Sequence, residues 1–485
     1  MYKINEINKL AIKTHEGLSQ RKTVENIICQ GEPWGPIDCS LHIDGIGKLS
    51  LDPSLEPYRY KDEVEIPALG WVDDVISVSE SGHKTTRINS FINAQLATKK
   101  LRLGAKKCFV MHVGNRHEDY KNIELVIDGW SVKRVENIDT GELELEDTYE
   151  EDMKEISHTN SENYLGQIIS SDSKNTLNIL KQRNKGIGIQ NKIIHMLEKM
   201  PGGHFHFEIA IILRNSLLIS SMLSNSEIWY GLTKKDTEML EQVDEMWMRN
   251  LFECSRNVAK DLLYLELGVV PISYLIKARR QMYLHHILQQ NEDTLLSRFF
   301  FAQLKSPTYN DWSSQVLQEQ EELEICLDLE EIKDMSKTKF KSLLLSKIRK
   351  KAFQYLVEKK ESRISDNSRG KKIKYMSLEM AEYLSPEETD LSIDEKKWLL
   401  KCRIEDIDIS ENGNWNNGTI ICKYCHNEAF TQRHLLDCKY LQGKNEILSY
   451  IPDYNDLFNG DMKEQIYISR LLKENFNRFK SNKTM

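Results

Sequence analysis

The pattern of apolar and polar positions divides the chain into a mixed first part and a helical second part. Residues 66–79 place apolar positions on both sides of a polar pair, which predicts a strand, a tight turn and a second strand. Residues 82–101 instead repeat Ile88, Ile92 and Leu96 at four-residue spacing, as one face of an amphipathic helix does. We therefore expect small sheets and at least one packed helix at the start of the chain.

Two further segments of the first part carry strand-like patterns. Residues 123–126 and 130–135 predict a second hairpin, with Asp128 and Gly129 as its turn. Residues 139–141 predict a further turn, and residues 142–146 alternate as an exposed edge strand does. The acidic stretch after them, up to Asn163, predicts a flexible connection.

Helical periodicity dominates from Lys174 to about Gln290. Thr233 with Asp236 forms a capping pair that predicts the start of a helix. Four apolar residues would share one face of that helix: Leu240, Val243, Trp247 and Leu251. These stripes are typical of the core of a helical bundle.

The composition is that of an ordinary globular protein. The 485 residues are 40% hydrophobic and 29% charged, and their number suggests about two to four domains. No apolar run reaches the roughly 18 residues that span a bilayer, and the first residues have no apolar signal-peptide core. We therefore expect a soluble intracellular protein, in the nucleus or cytoplasm, without membrane contact.

The charge is unevenly placed along the chain. The formal net charge is −8, which does not favour a nucleic-acid-binding protein. Residues 333–374, however, hold fifteen Lys and Arg against four Asp and Glu, a local net charge of +11. Such a segment could hold a phosphate backbone, and a solvated charged face is the alternative. The adjacent Arg279 and Arg280 allow the same two interpretations.

Two adjacent carboxylates, Asp73 and Asp74, occupy the predicted turn between 66 and 79. Neighbouring carboxylates in an apolar hairpin are unfavourable unless a cation compensates them, and hard oxygen ligands suit Mg²⁺. In nucleotide polymerisation two such ions clamp the attacking and leaving oxygens. The alternative is an ordinary turn, in which Asp is a favoured residue.

A cluster of cysteine and histidine lies near the carboxyl end, as Cys422-x2-Cys425-x8-His434-x3-Cys438. The nine cysteines are otherwise scattered, which argues for reduced thiols and a metal site rather than a disulfide framework. Three thiolates and an imidazole favour zinc, with the last two ligands one helical turn apart. A chance cluster of structural cysteines is the alternative.

Four short segments follow one another along the chain: Gln30-Gly31, the aromatic-x-Asp-Asp hairpin 71–74, the Lys106-Lys107 pair and Tyr164-Leu165-Gly166. In this order they resemble the motifs of the reverse transcriptases of non-LTR retrotransposons. The resemblance extends through the helical region to the cysteine cluster. It implies an RNA-directed DNA polymerase, with an RNA template, a DNA primer and deoxynucleoside triphosphates as partners.

The resemblance also assigns roles to individual residues. Asp73 and Asp74 would hold magnesium, and Gln30 and Gly31 would face the template and the incoming nucleotide. Lys107 would protonate the departing pyrophosphate, with Lys106 as the other candidate. Tyr164, Leu165 and Gly166 would form the primer grip. The zinc element would help to hold nucleic acid or would be a purely structural staple.

One catalytic carboxylate of the family has no match in this sequence. It belongs before the Gln-Gly motif, whereas the first Asp here, Asp38, follows that motif. Asp38 and Asp44 are conceivable substitutes, but the helix expected after Gln30 would carry them away from the hairpin. We therefore expect an amino-terminally truncated polymerase that is inactive, or nearly so, by itself. The alternative is a non-catalytic nucleic-acid-binding relic or co-opted module.

Together these inferences predict an α+β fold. Residues 1–170 would form a partial palm sheet with helices, and residues 171–300 an α-helical thumb-like bundle. Residues 301–400 would be a helical linker with the basic segment, and residues 401–485 a small zinc-knuckle subdomain.

Overall fold

The computed structural model describes most of the helical part of the chain and a set of short segments of the first part. The described residues are 8–10, 13–14, 17–18, 22–24, 46, 55, 57–61, 63–66, 68–71, 74–98, 103–104, 107–114, 124–136, 143–155, 157–200, 207–256, 258–308, 311–362, 377–387, 391–407, 422, 425, 431–438, 440 and 452–481. They belong to two compact units. The first unit comprises Met1–Lys174 with Asn291–Ser306, and the second comprises Asn175–Gln290 with Pro307–Met485.

The described strands of the first unit pair in twos. The antiparallel pairs are β1 (Asn8–Leu10) with β4 (Lys22–Val24), β2 (Lys13–Thr14) with β3 (Gly17–Leu18), β5 (Tyr58–Tyr60) with β6 (Val64–Ile66), β7 (Leu69–Trp71) with β8 (Asp74–Ile76), β10 (Glu124–Glu136) with β11 (Leu143–Glu155), and β13 (Ser161–Tyr164) with β14 (Gln167–Ser170). The strand β9 (Phe109–Val110) pairs in parallel with β12 (Ser157–His158). The structure thus contains small sheets beside helices. The palm and thumb domains remain predictions.

Two helices of the first unit have described bounds. Helix α1 (Gly82–Ala97) begins at the N-cap Ser81 and buries Ile88, Ile92 and Leu96, as the four-residue spacing predicts. A later helix of the first unit, Leu295–Lys305, packs on the β5–β6 hairpin, where the Lys305 amine lies 2.8 Å from the Glu63 carboxylate.

The expected turn at Asp128 and Gly129 is wrong. Strand β10 runs through both residues without interruption, and Gly129 is paired with Glu150 of β11. The edge strand expected at residues 142–146 is the start of β11, whereas the acidic stretch after it, expected to be a flexible connection, continues that strand up to Glu155. Cross-strand pairing over the full length of the ribbon outweighs the local turn preference of Asp-Gly.

The second unit is helical. Its helices are α2 (Thr176–Glu198), α3 (Phe207–Leu213), α4 (Ser220–Met222), α5 (Lys234–Phe252), α6 (Lys260–Leu267), α7 (Ile272–Leu288), α9 (Trp312–Glu322), α10 (Leu329–Asp334), α11 (Lys337–Ser362), α12 (Ile393–Arg403), α13 (Gln432–Asp437), α14 (Asp456–Asn459) and α15 (Met462–Ser481), and α8 is the Leu295–Lys305 helix of the first unit. Short 3-10 turns lie at Ser226–Ile228 and Glu382–Leu384. A π-helical segment, Arg214–Ile219, joins α3 to α4.

Helix α5 confirms the pattern from which it was predicted. Thr233 and Asp236 form the capping box, each side chain accepting a hydrogen bond from the other residue's backbone N–H. The predicted apolar face is buried in the core of the second unit: Leu240, Val243, Trp247 and Leu251. None of the helices in the described ranges is both long and apolar enough to cross a membrane.

Buried charge pairs tie the helices of the second unit together. Arg214, in the π-helical segment, donates to both carboxylate oxygens of Asp244 at 2.7 and 2.6 Å, and Tyr264 donates to the same carboxylate at 3.0 Å. Arg280 is likewise buried and pairs with Glu319. It is therefore not available to a phosphate, which was one of the two interpretations of the adjacent Arg279 and Arg280. Because a buried charge without a partner is costly, these pairs fix the helix positions.

Candidate metal centres

The four predicted zinc ligands converge in the second unit. The ligand atoms of Cys422, Cys425, His434 and Cys438 all lie within 4.8 Å of one another. The Cys422 and Cys438 sulfur atoms are 3.9 Å apart, and the Cys425 sulfur lies 3.4 Å from Nε2 of His434. A tetrahedral zinc with Zn–S bonds of about 2.3 Å separates its sulfur ligands by about 3.8 Å. The cluster therefore has the size of a zinc site, and its sulfurs are too far apart for a disulfide.

Helix α13 carries His434, and Cys438 is the C-cap residue of the same helix. Thr431 caps the helix by accepting from the His434 backbone N–H at 3.1 Å, and the Cys438 N–H donates to the His434 carbonyl at 2.9 Å. These two contacts place the imidazole and the thiol one turn apart. Three of the ligand side chains are buried and Cys425 is partly exposed. The soft, largely dry donor set fits zinc.

Residues outside the ligand motif hold the cluster in place. Gln432 donates to the Cys402 carbonyl at 2.6 Å, and Asn475 of α15 donates to the Leu435 carbonyl at 2.8 Å. Cys422, Leu435 and Cys438 belong to the same hydrophobic core as the helical bundle. The ligand spacing gives no sign of these supports, although Thr431-x-x-His434 is a recognisable capping pattern.

Asp74 lies on the predicted hairpin of the first unit. Strands β7 and β8 are antiparallel, Trp71 pairs with Asp74, and a two-residue connection joins them. Asp74 is the first residue of β8 and is exposed. Asp73 lies outside the described residues. The hairpin thus presents the Asp74 carboxylate at its turn end, where a cation from solvent can reach it.

The hairpin β13–β14 lies within electrostatic reach of Asp74. Burial first, and then the negative charge of Asp74, raise the pKa of the Tyr164 hydroxyl. Leu165 and Gly166 form the turn, with φ of 47° and 83°, the two left-handed positions of a tight hairpin turn. The charge of one hairpin therefore acts on a side chain of the other, although the two hairpins are far apart in the sequence.

The structure describes only some of the remaining predicted site residues. Lys107 is exposed, and its backbone N–H donates to the Gly104 carbonyl at 2.7 Å, just before β9. Strand β9 pairs with β12, which leads directly into β13. Gln30, Gly31 and Lys106 lie outside the described residues, as do Asp38 and Asp44.

No protein-family model and no curated protein matches the chain. Its function must therefore be inferred from the residues of these two centres and from their order along the chain.

Proposed function

We propose that this chain carries the palm hairpin, primer grip and zinc-binding region of an RNA-directed DNA polymerase of the retrotransposon type. The observation that supports this most is that the negative charge of Asp74 raises the pKa of the Tyr164 hydroxyl, which lies 90 positions away in the sequence. A primer terminus must lie beside the catalytic carboxylates before a nucleotide can be added. A hairpin with a carboxylate at its turn beside a second hairpin with a half-buried tyrosine suits that requirement.

The donor set at the hairpin fits magnesium. Asp73 and Asp74 offer hard carboxylate oxygens, and the described one is open to solvent. When bound, magnesium would activate the primer hydroxyl and stabilise the leaving pyrophosphate. Tyr164 and its turn would position the primer end, and the exposed Lys107 would donate a proton to the pyrophosphate.

The site needs at least one more carboxylate. In the part of the chain that the structure describes, no group of three acidic, imidazole or thiol side chains includes Asp74. Two-metal chemistry requires ligands that bridge both ions. We therefore expect the chain by itself to bind one ion at the hairpin and to add few or no nucleotides, until another segment or chain supplies that carboxylate.

Iron-directed cleavage tests the metal site without requiring activity. With added hydrogen peroxide and ascorbate, Fe²⁺ substituted for Mg²⁺ reduces the peroxide to hydroxyl radicals that cut the backbone beside the ion, and mass spectrometry locates the cut. We expect cleavage within β7 and β8, lost in Asp73→Asn/Asp74→Asn. Glu80→Gln is the matched control, since Glu80 is an exposed carboxylate nearby that pairs with Lys84 at 3.0 Å. Cleavage that is absent from the hairpin, or unchanged in the double variant, would contradict the proposal.

The second candidate function is nucleic-acid binding without chemistry. It is favoured by helix α11, in which residues 337–362 of the basic segment are helical and Lys337, Lys339 and Lys341 are exposed. Under this alternative the chain binds RNA, but Fe²⁺ produces no cut at the aspartate hairpin. The cleavage experiment therefore separates the two functions.

A further inference from the structure

A half-open groove of about 930 Å³ lies in the second unit, between α7 and the first turns of α11. Its floor is apolar and is formed by Ile219, Leu275, Ala278, Met282 and Leu344. The π-helical segment and the 3-10 turn at Ser226–Ile228 contribute Asn215 and Glu227 to its wall. The groove is of the size that holds a small organic group.

The groove wall is strongly cationic. Five cations line it, and one of them, Arg214, is buried and neutralised by Asp244. The other four are Arg279, Lys337, Lys341 and Arg349, and among the described lining residues only Glu227 carries a carboxylate. This imbalance favours an anionic ligand, since cations close together over an apolar floor repel one another until an anion neutralises them.

Two of these cations are available to a ligand. Lys337 and Lys341 are exposed, lie one helical turn apart on α11, and form no ion pair with another described residue. Arg279 is committed in part, because it donates to the Leu223 carbonyl at 2.9 Å and lies 3.9 Å from Glu227. Arg349 donates to the Leu378 carbonyl. The two lysines therefore offer the ammonium groups for successive phosphates.

An aromatic platform stands on the opposite wall. The rings of Tyr283 and His286 are stacked, with centroids 5.9 Å apart and planes at 23°. Trp312 contacts Tyr283 edge-on at 5.6 Å and fixes its orientation. His286 is the exposed member of the stack. A planar group that entered the groove could continue this stack.

From this combination we infer that the groove binds single-stranded nucleic acid, with phosphates on Lys337 and Lys341 and a base on the His286 ring. Surfaces that bind single-stranded nucleic acid share two features: cations along the phosphate backbone and aromatic rings on which bases stack. A duplex keeps its bases within the stack and cannot offer one to His286. The inference concerns the second unit alone and does not depend on the polymerase proposal.

Fluorescence anisotropy with a labelled single-stranded RNA of about ten nucleotides tests the phosphate contacts. Each lost contact with a single strand lowers the slope of log Kd against log salt by about 0.7. We expect Lys337→Gln/Lys341→Gln to reduce that slope by about 1.4 and to weaken binding about 25-fold at about 0.1 M salt. Lys234→Gln/Lys235→Gln is the matched control, because both lysines are exposed on α5 outside the groove.

The base contact has its own test. His286→Ala should weaken RNA binding about fivefold and leave the salt slope unchanged, because stacking releases no counterion. His195→Ala, an exposed histidine on α2, should bind as the wild type does. A single-stranded DNA of the same sequence should bind in the same groove with the same response to the lysine substitutions.

Three results would overturn the inference. They are an unchanged salt slope in the lysine variant, an equal loss in the Lys234→Gln/Lys235→Gln control, and a duplex RNA that competes as well as the single strand. Circular dichroism and thermal melting of each variant establish that a loss of binding is not a loss of fold.

Discussion

The zinc ligands are the residues whose role the sequence predicts most directly. A Cys-x2-Cys pair and a His-x3-Cys pair encode their geometry locally, one in a turn and one on a helix. The structure brings all four to within 4.8 Å. The pairing of Arg214 with Asp244 could not be predicted from local patterns, because the partners lie on different helices 30 positions apart. Sequence periodicity shows only that Arg214 interrupts an apolar run.

Removal of one thiol should empty the zinc site. We expect Cys438→Ser to weaken zinc binding by more than about 100-fold, since even outer contacts of zinc ligands contribute factors of 10 to 100. Competition with a chelating dye measures this affinity. Cys326→Ser is the control, because Cys326 is exposed and outside the cluster. Equal zinc content and affinity in both variants would refute the assignment.

The Arg214–Asp244 pair makes a distinct prediction about stability. Arg214→Met leaves the fully buried Asp244 carboxylate without its bidentate partner and should destabilise the second unit by about 3–5 kcal/mol. Urea unfolding followed by tryptophan fluorescence measures the change. Arg214→Met/Asp244→Leu should be less destabilised than the single variant, because no charge stays buried. A double variant that is worse than the single one would show that the charges themselves stabilise the fold.

Among the elements, α9 begins at a cap that should make stability depend on pH. Burial alone would raise the pKa of the Asp311 carboxyl, but hydrogen bonds from Ser314, Thr308 and Ser313 outweigh it and lower the pKa from 3.8 to about 2. Because the pKa of the Asp311 carboxyl is lower in the folded state than in the unfolded state, its ionised form stabilises the fold at pH values above the unfolded-state pKa. That contribution is lost as the pH falls from about 4 to 2.

Asp311→Asn isolates this contribution, because its amide does not titrate. Between about pH 5 and pH 2 the wild type should lose about 2 kcal/mol more unfolding free energy than the variant. Urea titrations at both pH values give the difference. An identical loss in both proteins would mean that the Asp311 carboxyl is not held in its ionised form.

The turn of the β13–β14 hairpin holds a residue in an unfavourable conformation. Leu165 has φ of 47°, which is disfavoured for a leucine and better tolerated by asparagine. We expect Leu165→Asn to slow amide exchange within residues 161–170 about fivefold. Ile169→Asn, in a strand, should accelerate it. If Leu165→Asn does not slow amide exchange, the turn stores no strain.

How far elements could be predicted depended on the range of the interactions that form them. Helix α5 followed from its capping box and its apolar face, both of which are local. Strand β10 did not, because pairing with β11 carries it through the Asp128-Gly129 sequence that favours a turn. Local pattern indicates local structure, and pairing between distant segments overrides it.

At the scale of the whole molecule, the sequence indicates a mixed first part and a helical second part, and each unit has that character. It did not indicate that Asn291–Ser306 belongs with the first unit. Nor did it indicate that the zinc ligands would share the core of the helical bundle, since Cys422 and Cys438 pack in one cluster with α5 and α6 residues. Such long-range packing leaves no periodic signal in a single sequence.

The polymerase proposal depends on one juxtaposition, that of the aspartate hairpin with the Tyr164 hairpin. A primer that carries 4-thiouridine at its 3′ end, annealed to an RNA template, tests it most directly by photo-cross-linking in the presence of Mg²⁺. We expect the cross-link within β13–β14, at Tyr164 or its turn, and its loss in Asp73→Asn/Asp74→Asn. A cross-link that never falls on β7, β8, β13 or β14, or that survives the double substitution unchanged, would contradict the account.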